Sequence, residues 1–147
     1  MIVEKIYIAS DHAGVDIKKT CKEFLESLNF EVIDLGTDSL NSVDYPDFAY
    51  KLTNEVKKNS KFYGVLICGT GIGISIAANR DKNIRCALCH NENTATLARE
   101  HNDANVLAFG ARVVDENLAK KMCEVFFNTE FAGNRHKNRV LKLSKES

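Results

Sequence analysis

Short runs of β-branched and aliphatic residues alternate along this chain with longer segments of helical periodicity. Five runs predict strands: Lys5–Ala9, Glu31–Leu35, Tyr63–Cys68, Ile84–Leu88 and Asn105–Phe109. Several are almost continuously apolar, the pattern of strands buried on both faces. Helical spacing fills the gaps. Ile17, Cys21, Phe24, Leu25 and Leu28 form one apolar stripe. Phe48, Leu52 and Val56 repeat every fourth residue after Pro46, the only proline, which suits a helix's first turn. Further helices are predicted over Ile72–Asn79 and Asn91–Glu100, on the stripe Leu118, Met122, Val125 and Phe126, and over Asn134–Lys145 beyond Gly133.

Strand–helix alternation repeated five times predicts βαβ units and a parallel sheet with helices on both faces. The expected fold is one α/β domain over residues 1–147: a three-layer αβα sandwich around a five-stranded parallel, Rossmann-like sheet. In such sheets ligands bind beyond the carboxyl ends of the strands. The chemistry is therefore expected just after each strand.

Composition narrows the classes of function. The 147 residues carry twenty basic and twenty acidic side chains, so no global field attracts nucleic acid or anionic lipid. An anionic partner must be held by a local cluster. No apolar run approaches the ~20 residues that span a bilayer. The opening MIVEKIYIAS lacks the basic and long apolar regions of a signal peptide. Five cysteines, an odd number, read as thiols rather than a disulfide framework, and a cytoplasmic protein is expected.

The strongest local signal follows the third strand: Cys68-Gly69-Thr70-Gly71-Ile72-Gly73. Glycines at alternate positions let the backbone approach a ligand, and the N–H groups of the following helix point at it. The loop lacks the third glycine of the dinucleotide fingerprint, where Ile74 stands, and the Lys-Ser/Thr of a P-loop. The anion it suits is a phosphate or an oxyanion that develops during reaction. A thiol beside those amides should ionise readily, making Cys68 a base or nucleophile. The plainer alternative is a small buried hydrophobe.

Other candidates follow other strands. Ser10 or Asp11 after the first strand can cap the next helix, but the adjacent His12 favours a functional turn. After the second strand, Asp44-Tyr45-Pro46 reads as a helix start, with Tyr45 within reach of a ligand. Cys86-Ala87-Leu88-Cys89-His90 matches the haem-attachment pattern. Haem attachment is rejected because no export signal accompanies it, and zinc because no second ligand pair stands at the right spacing. Core packing is expected for Cys86. His101-Asn102-Asp103 end a predicted helix, where a histidine can simply face the dipole. Arg135 and Arg139 share one helix face with His136 beside them. With Arg112 after the fifth strand they would make a phosphate clamp; a solvated basic face is the plainer reading.

In order along the chain stand Asp11-His12, Asp44-Tyr45-Pro46, Cys68 through Ser75, Ala77-Ala78-Asn79, His101-Asn102-Asp103, Asn105 through Arg112, and Arg135-His136 to Arg139. Together they resemble the B-type ribose-5-phosphate isomerase family, which includes the galactose- and allose-6-phosphate isomerases. The resemblance runs to about Leu143, and the block from Cys68 to Asn79 is its most specific part. It implies aldose–ketose interconversion, ribose 5-phosphate with ribulose 5-phosphate, in the pentose phosphate pathway and with no metal or nucleotide cofactor. It also implies a homodimer, or a dimer of dimers, whose sites draw on both subunits. One branch of the family uses a cysteine base; another uses a glutamate further along the loop, where Ser75 stands here, so this chain resembles the cysteine branch.

The residue types then fit these roles. His101, with Asp11, would open the sugar ring, and Cys68 would move the proton between the two carbons. The amides of residues 71–75, from Gly71, Ile72, Gly73, Ile74 and Ser75, would hold the enediolate oxygen, with Gly69 allowing close approach. Thr70 would bond the reacting oxygens or the thiol. His12, Arg112, Arg135, His136 and Arg139 would hold the phosphate, and Asn102 and Tyr45 would orient hydroxyls. The clamp helix either folds back over its own strand ends or reaches a partner's site. The alternatives are a hexose 6-phosphate isomerase and a non-catalytic sugar-phosphate sensor.

Overall fold

All five predicted strands form, and their order explains their lengths. The computed structural model describes residues 1–145. The strands are β1 (Lys5–Ser10), β2 (Val32–Asp34), β3 (Phe62–Cys68), β4 (Cys86–Leu88) and β5 (Val106–Gly110). The helices are α1 (Val15–Ser27), α2 (Tyr45–Val56), α3 (Ile72–Ala78), α4 (Glu92–Asn102), α5 (Glu116–Phe127) and α6 (Arg135–Leu143), with a 3-10 turn at His12–Gly14. The sheet order is β2-β1-β3-β5-β4 and every pairing is parallel. The edge strands β2 and β4 are shorter than their apolar runs predict, three residues each, because an edge strand has one ladder partner and one side open to water. The strand containing Cys86 is accordingly only partly buried along its length, not fully buried as expected; Cys86 itself packs against the core.

The two faces of the sheet carry separate cores. Ile6, Ile8, Val65, Ile67, Leu107 and Phe109 meet α1, α4 and α5 on one face. Tyr7, Ala9, Leu66, Val106 and Ala108 meet Leu52 and Val56 of α2 and Ile74 and Ala77 of α3 on the other. This is the period-two alternation of a strand written onto two helical layers. Each Val, Leu, Ile or Phe among them contributes about 1.5–3 kcal/mol on full burial. Helix starts follow local chemistry. The Asn91 side chain accepts the Thr94 N–H in a reciprocal capping box, and Asp115 accepts the Leu118 N–H. Among the described residues no helix is long and apolar enough to cross a membrane.

Register places the site. Ser10 pairs with Ile67, and Cys68 with Gly110, so the carboxyl ends of β1, β3 and β5 share one rim.

Candidate active site

At that rim β3 delivers Cys68 into the glycine turn. The Cys68 sulfur accepts the Gly71 N–H at 3.2 Å, and the Thr70 hydroxyl accepts the Ile72 N–H at 3.2 Å. Gly71, the N-cap of α3, has φ +79. A Cβ there would also stand 2.6 Å from the Phe109 carbonyl carbon. Both demands leave glycine as the residue. The N–H groups of Gly73 and Ile74 have no partner among the described residues, as expected in a helix's first turn. Ser75 is a correction to the expected run of amides. Its N–H donates to Gly71 O and its hydroxyl to Ile72 O, both inside the helix, and it is buried. The Gly71 and Ile72 amides, also expected in that run, are likewise spent, on the Cys68 sulfur and the Thr70 hydroxyl, so those free to meet an oxyanion are the amides of Gly73 and Ile74.

The flanking strands add four side chains. Asp11 caps the 3-10 turn through the Ala13 N–H at 2.9 Å, and its own N–H donates to Ile67 O, one residue before Cys68. The capping role read from sequence thus coexists with a place beside the thiol. His12 Nδ1 accepts the Val43 N–H at 3.2 Å, which leaves Nε2 as the proton-bearing nitrogen of the neutral ring. Sequence reasoning missed Val43, because a backbone donor supplied by a loop has no residue-type signature. The Arg112 guanidinium lies over Gly69, where a Cβ would meet Nη1 at 2.7 Å. It has no ion-pair partner among the described residues. Tyr45, first residue of α2, lays its ring on Gly73, where a Cβ would stand 2.5 Å from Cζ.

A second cluster forms elsewhere. His101 and Asn102 close α4, and α6 packs against that end. The His101 and His136 rings stack with centroids 4.3 Å apart. With Asn102, Arg139, Val140 and Leu143 they line a cavity of about 250 Å³, smaller than the ~300–1,000 Å³ of a complete ligand pocket. Arg135 and Arg139 are exposed on one face of α6. Burial, and then the charges of Arg135, His101 and Arg139, hold the His136 imidazole below its ordinary value.

This second cluster departs from the rule that the chemistry follows the strands. α4 runs back against the strands, so its last residues adjoin the start of β5, where Val106 pairs with Gly64; Cys68 pairs with Gly110 at the far end. Four strand steps alone span about 13 Å. Within one chain His101, Asn102, Arg135, His136 and Arg139 therefore stand at one rim, and Asp11, His12, Tyr45, Cys68, Thr70 and Arg112 at the other. Of the two placements open for α6, folding over its own strand ends is not the one adopted.

Burial pushes Cys89 up to about 11 and raises Cys86 further, and His90 beside them is exposed. Among the described residues no group of His, Cys, Asp and Glu is arranged to hold a metal ion.

Comparison with known proteins bears on this arrangement. A model of the ribose/galactose isomerase family matches residues 6–143. The ribose-5-phosphate isomerase B of Escherichia coli is 43% identical over 138 residues, covering 94% of this chain and 93% of that one. A putative sugar phosphate isomerase of Bacillus subtilis is 48% identical over 95% of both chains. Among solved structures, ribose 5-phosphate isomerase B of Anaplasma phagocytophilum superimposes with TM-score 0.93 at 50% identity, covering 97% of this chain and 98% of that one. The Mycoplasma genitalium enzyme, solved with bound ribulose-5-phosphate, superimposes with TM-score 0.94 at 43% identity, covering 98% and 96%.

Proposed function

The chain belongs to the ribose/galactose isomerase family, and from that premise we propose that it interconverts ribose 5-phosphate and ribulose 5-phosphate. The observation that carries this reading is the Cys68 sulfur at the mouth of a glycine turn, with the unpaired amides of Gly73 and Ile74 one helical turn away.

Only the open-chain sugar isomerises, so a proton must first reach the ring oxygen while another leaves the anomeric hydroxyl. His101 is the group for this step, with the Asp11 carboxylate near the reacting end. The Cys68 thiolate then takes the proton from C2 of the aldose. The C–H electrons form the C1=C2 bond, and negative charge moves to the carbonyl oxygen. The Gly73 and Ile74 amides meet that oxygen, a donor set of which a single member can supply roughly 2.7–4 kcal/mol of barrier lowering. A proton passes from the C2 hydroxyl to O1, with Thr70 the neighbouring hydroxyl. The Cys68 thiol returns its proton to C1, giving the ketose and regenerating the thiolate. His12 Nε2, Arg112, Arg135, His136 and Arg139 bind the phosphate, and Asn102 and Tyr45 orient hydroxyls.

This reading requires two copies of the chain. A pentose phosphate is too short to bridge the two rims, so His101 and the α6 arginines serve the Cys68 of a partner. Ile72 and Ile76, one turn apart on α3, are each about half-exposed (52% and 51%) and offer an apolar strip for that contact. The five thiols are all unpaired, which supports a reducing, cytoplasmic setting.

The test is a direct assay of ribose 5-phosphate, allose 6-phosphate and galactose 6-phosphate conversion with a chelator present. Ribose 5-phosphate should turn over fastest. Cys68→Ala should be inactive yet bind inorganic phosphate. Faster turnover of a hexose phosphate would move the assignment within the family. Turnover of none would make the chain a sugar-phosphate binder.

A further inference from the structure

Arg99 lies on the hidden face of α4, two residues before His101, with only 3% of its side chain exposed. Two of its guanidinium nitrogens make three hydrogen bonds. Nε donates to Thr129 O at 3.0 Å; Nη1 donates to Asp103 Oδ1 at 2.9 Å and to Ala104 O at 2.6 Å. The group also lies 5.5 Å from the Tyr63 ring centre and 5.9 Å from that of Phe126. Thr129 belongs to the connection between α5 and α6, and Ala132 in the same connection donates to Glu100 O at 3.0 Å. Asp103 holds φ +47, a left-handed conformation that few residues other than glycine adopt. It ends α4 immediately after His101 and Asn102. Arg85 grips it from the other side, with Nε donating to Asp103 O at 2.7 Å.

One side chain thus ties three backbone segments: the end of α4, the entry to β5 and the connection leading into α6. The last link matters because, beside the Ala132–Glu100 backbone bond, α6 has little else to place it. It buries only His136 and Val140, and leaves Leu141 and Leu143 exposed. A single buried aliphatic residue does not define where a helix sits along its neighbour. The His101–His136 stack, and with it the spacing from the ring-opening group to the Arg135–Arg139 face, depends on a polar anchor. We infer that Arg99 is a positioning residue for catalysis: it sets His101 against His136 and so fixes the reach between ring opening and phosphate binding. The inference rests on the isomerase reading above.

The test uses full-length enzyme carrying Arg99→Lys, which keeps the charge but loses the fork, and separately Asp103→Asn. Four readouts are taken: KM and kcat for ribose 5-phosphate, inhibition by inorganic phosphate, thermal midpoint, and the His101 and His136 ring proton resonances. A displacement of about 1 Å is enough to cost up to a hundredfold in turnover. Arg99→Lys should therefore raise KM and weaken phosphate inhibition by roughly tenfold or more, and both ring resonances should lose the shift that stacking imposes. Asp103→Asn should do the same more mildly. Unchanged ring resonances with KM within twofold of wild type, in a folded variant of lowered thermal midpoint, would overturn the inference. So would failure of both variants to fold, since the network would then hold the fold and not the pairing of the histidines. His101→Ala and His136→Ala are the controls. If these leave KM, kcat and phosphate inhibition unchanged, the active-site reading itself fails, whatever Arg99 does.

Discussion

The imidazoles of His101 and His136 are stacked 15° from parallel, one closing α4 and the other in the first turn of α6. The contact joins a helix that carries the ring-opening group to a helix that carries the phosphate clamp. It also brings His136 close to three cationic or ionisable neighbours, Arg135, Arg139 and His101.

That environment has a consequence for pH. His136 binds a proton less readily in the folded chain than in the unfolded one, where histidine titrates near ~6.5. Between the depressed value and the ordinary one the unfolded state holds more protons, so stability rises with pH and is lost on acidification. Denaturant titrations across this range should show wild type losing stability more steeply than His136→Gln as the pH falls. Equal slopes would mean that His136 titrates normally. Inorganic phosphate should reduce the difference, because a bound anion favours the imidazolium.

Opposite-rim placement makes a complementation experiment decisive. Cys68→Ala and Arg139→Ala proteins should each be nearly inactive. Mixed under conditions that exchange subunits, they form a mixed dimer with one doubly damaged site and one intact site. With random pairing, activity should return to about a quarter of wild type. Demonstrated exchange with no return of activity would place Cys68 and Arg139 in the same chain's site.

Gly73 carries the Tyr45 ring. Alanine there needs no unusual backbone angle, and in the first turn of α3 it is a better helix former than glycine. The new methyl would nevertheless stand 2.5 Å from Tyr45 Cζ, and the exposed ring must swing away. Gly73→Ala should therefore fold at least as stably while KM rises several-fold. In the double variant with Tyr45→Ala the two KM effects should not add, because both remove the same contact. Additive effects would separate Tyr45 from the substrate.

Thiol chemistry should discriminate among the cysteines. With Cys89 pushed up to about 11, roughly one part in a thousand is thiolate at about pH 8. Cys86 is raised by burial and then by Cys89. Alkylation at about pH 8 followed by peptide mapping should leave both unmodified, and Cys86→Ser and Cys89→Ser should retain turnover. Rapid labelling of Cys89 in folded protein would contradict the burial that raises it.

Much of this molecule is written in local pattern. Apolar alternation and helical spacing determine the five strands and six helices, since each element needs only its own residues to define which face it buries. The glycine turn after β3 is equally local: Gly71 stands where the φ is positive and the backbone of β5 passes close by. Cys68 and Thr70 were legible as members of that turn for that reason. Tertiary structure alone decided the rest. The strand order inserts β5 between β3 and β4, so β4 becomes a short edge that its apolar run did not predict. α4 returns antiparallel to the strands, which carries His101 and Asn102 to the rim away from Cys68. Ser75 is withdrawn from the oxyanion set by bonds inside its own helix. Arg99 gains its importance only from where Thr129 and Ala104 come to lie. Local sequence specifies which face an element turns inward. Which distant backbone atoms meet a side chain depends on how the faces of all the elements pack at once.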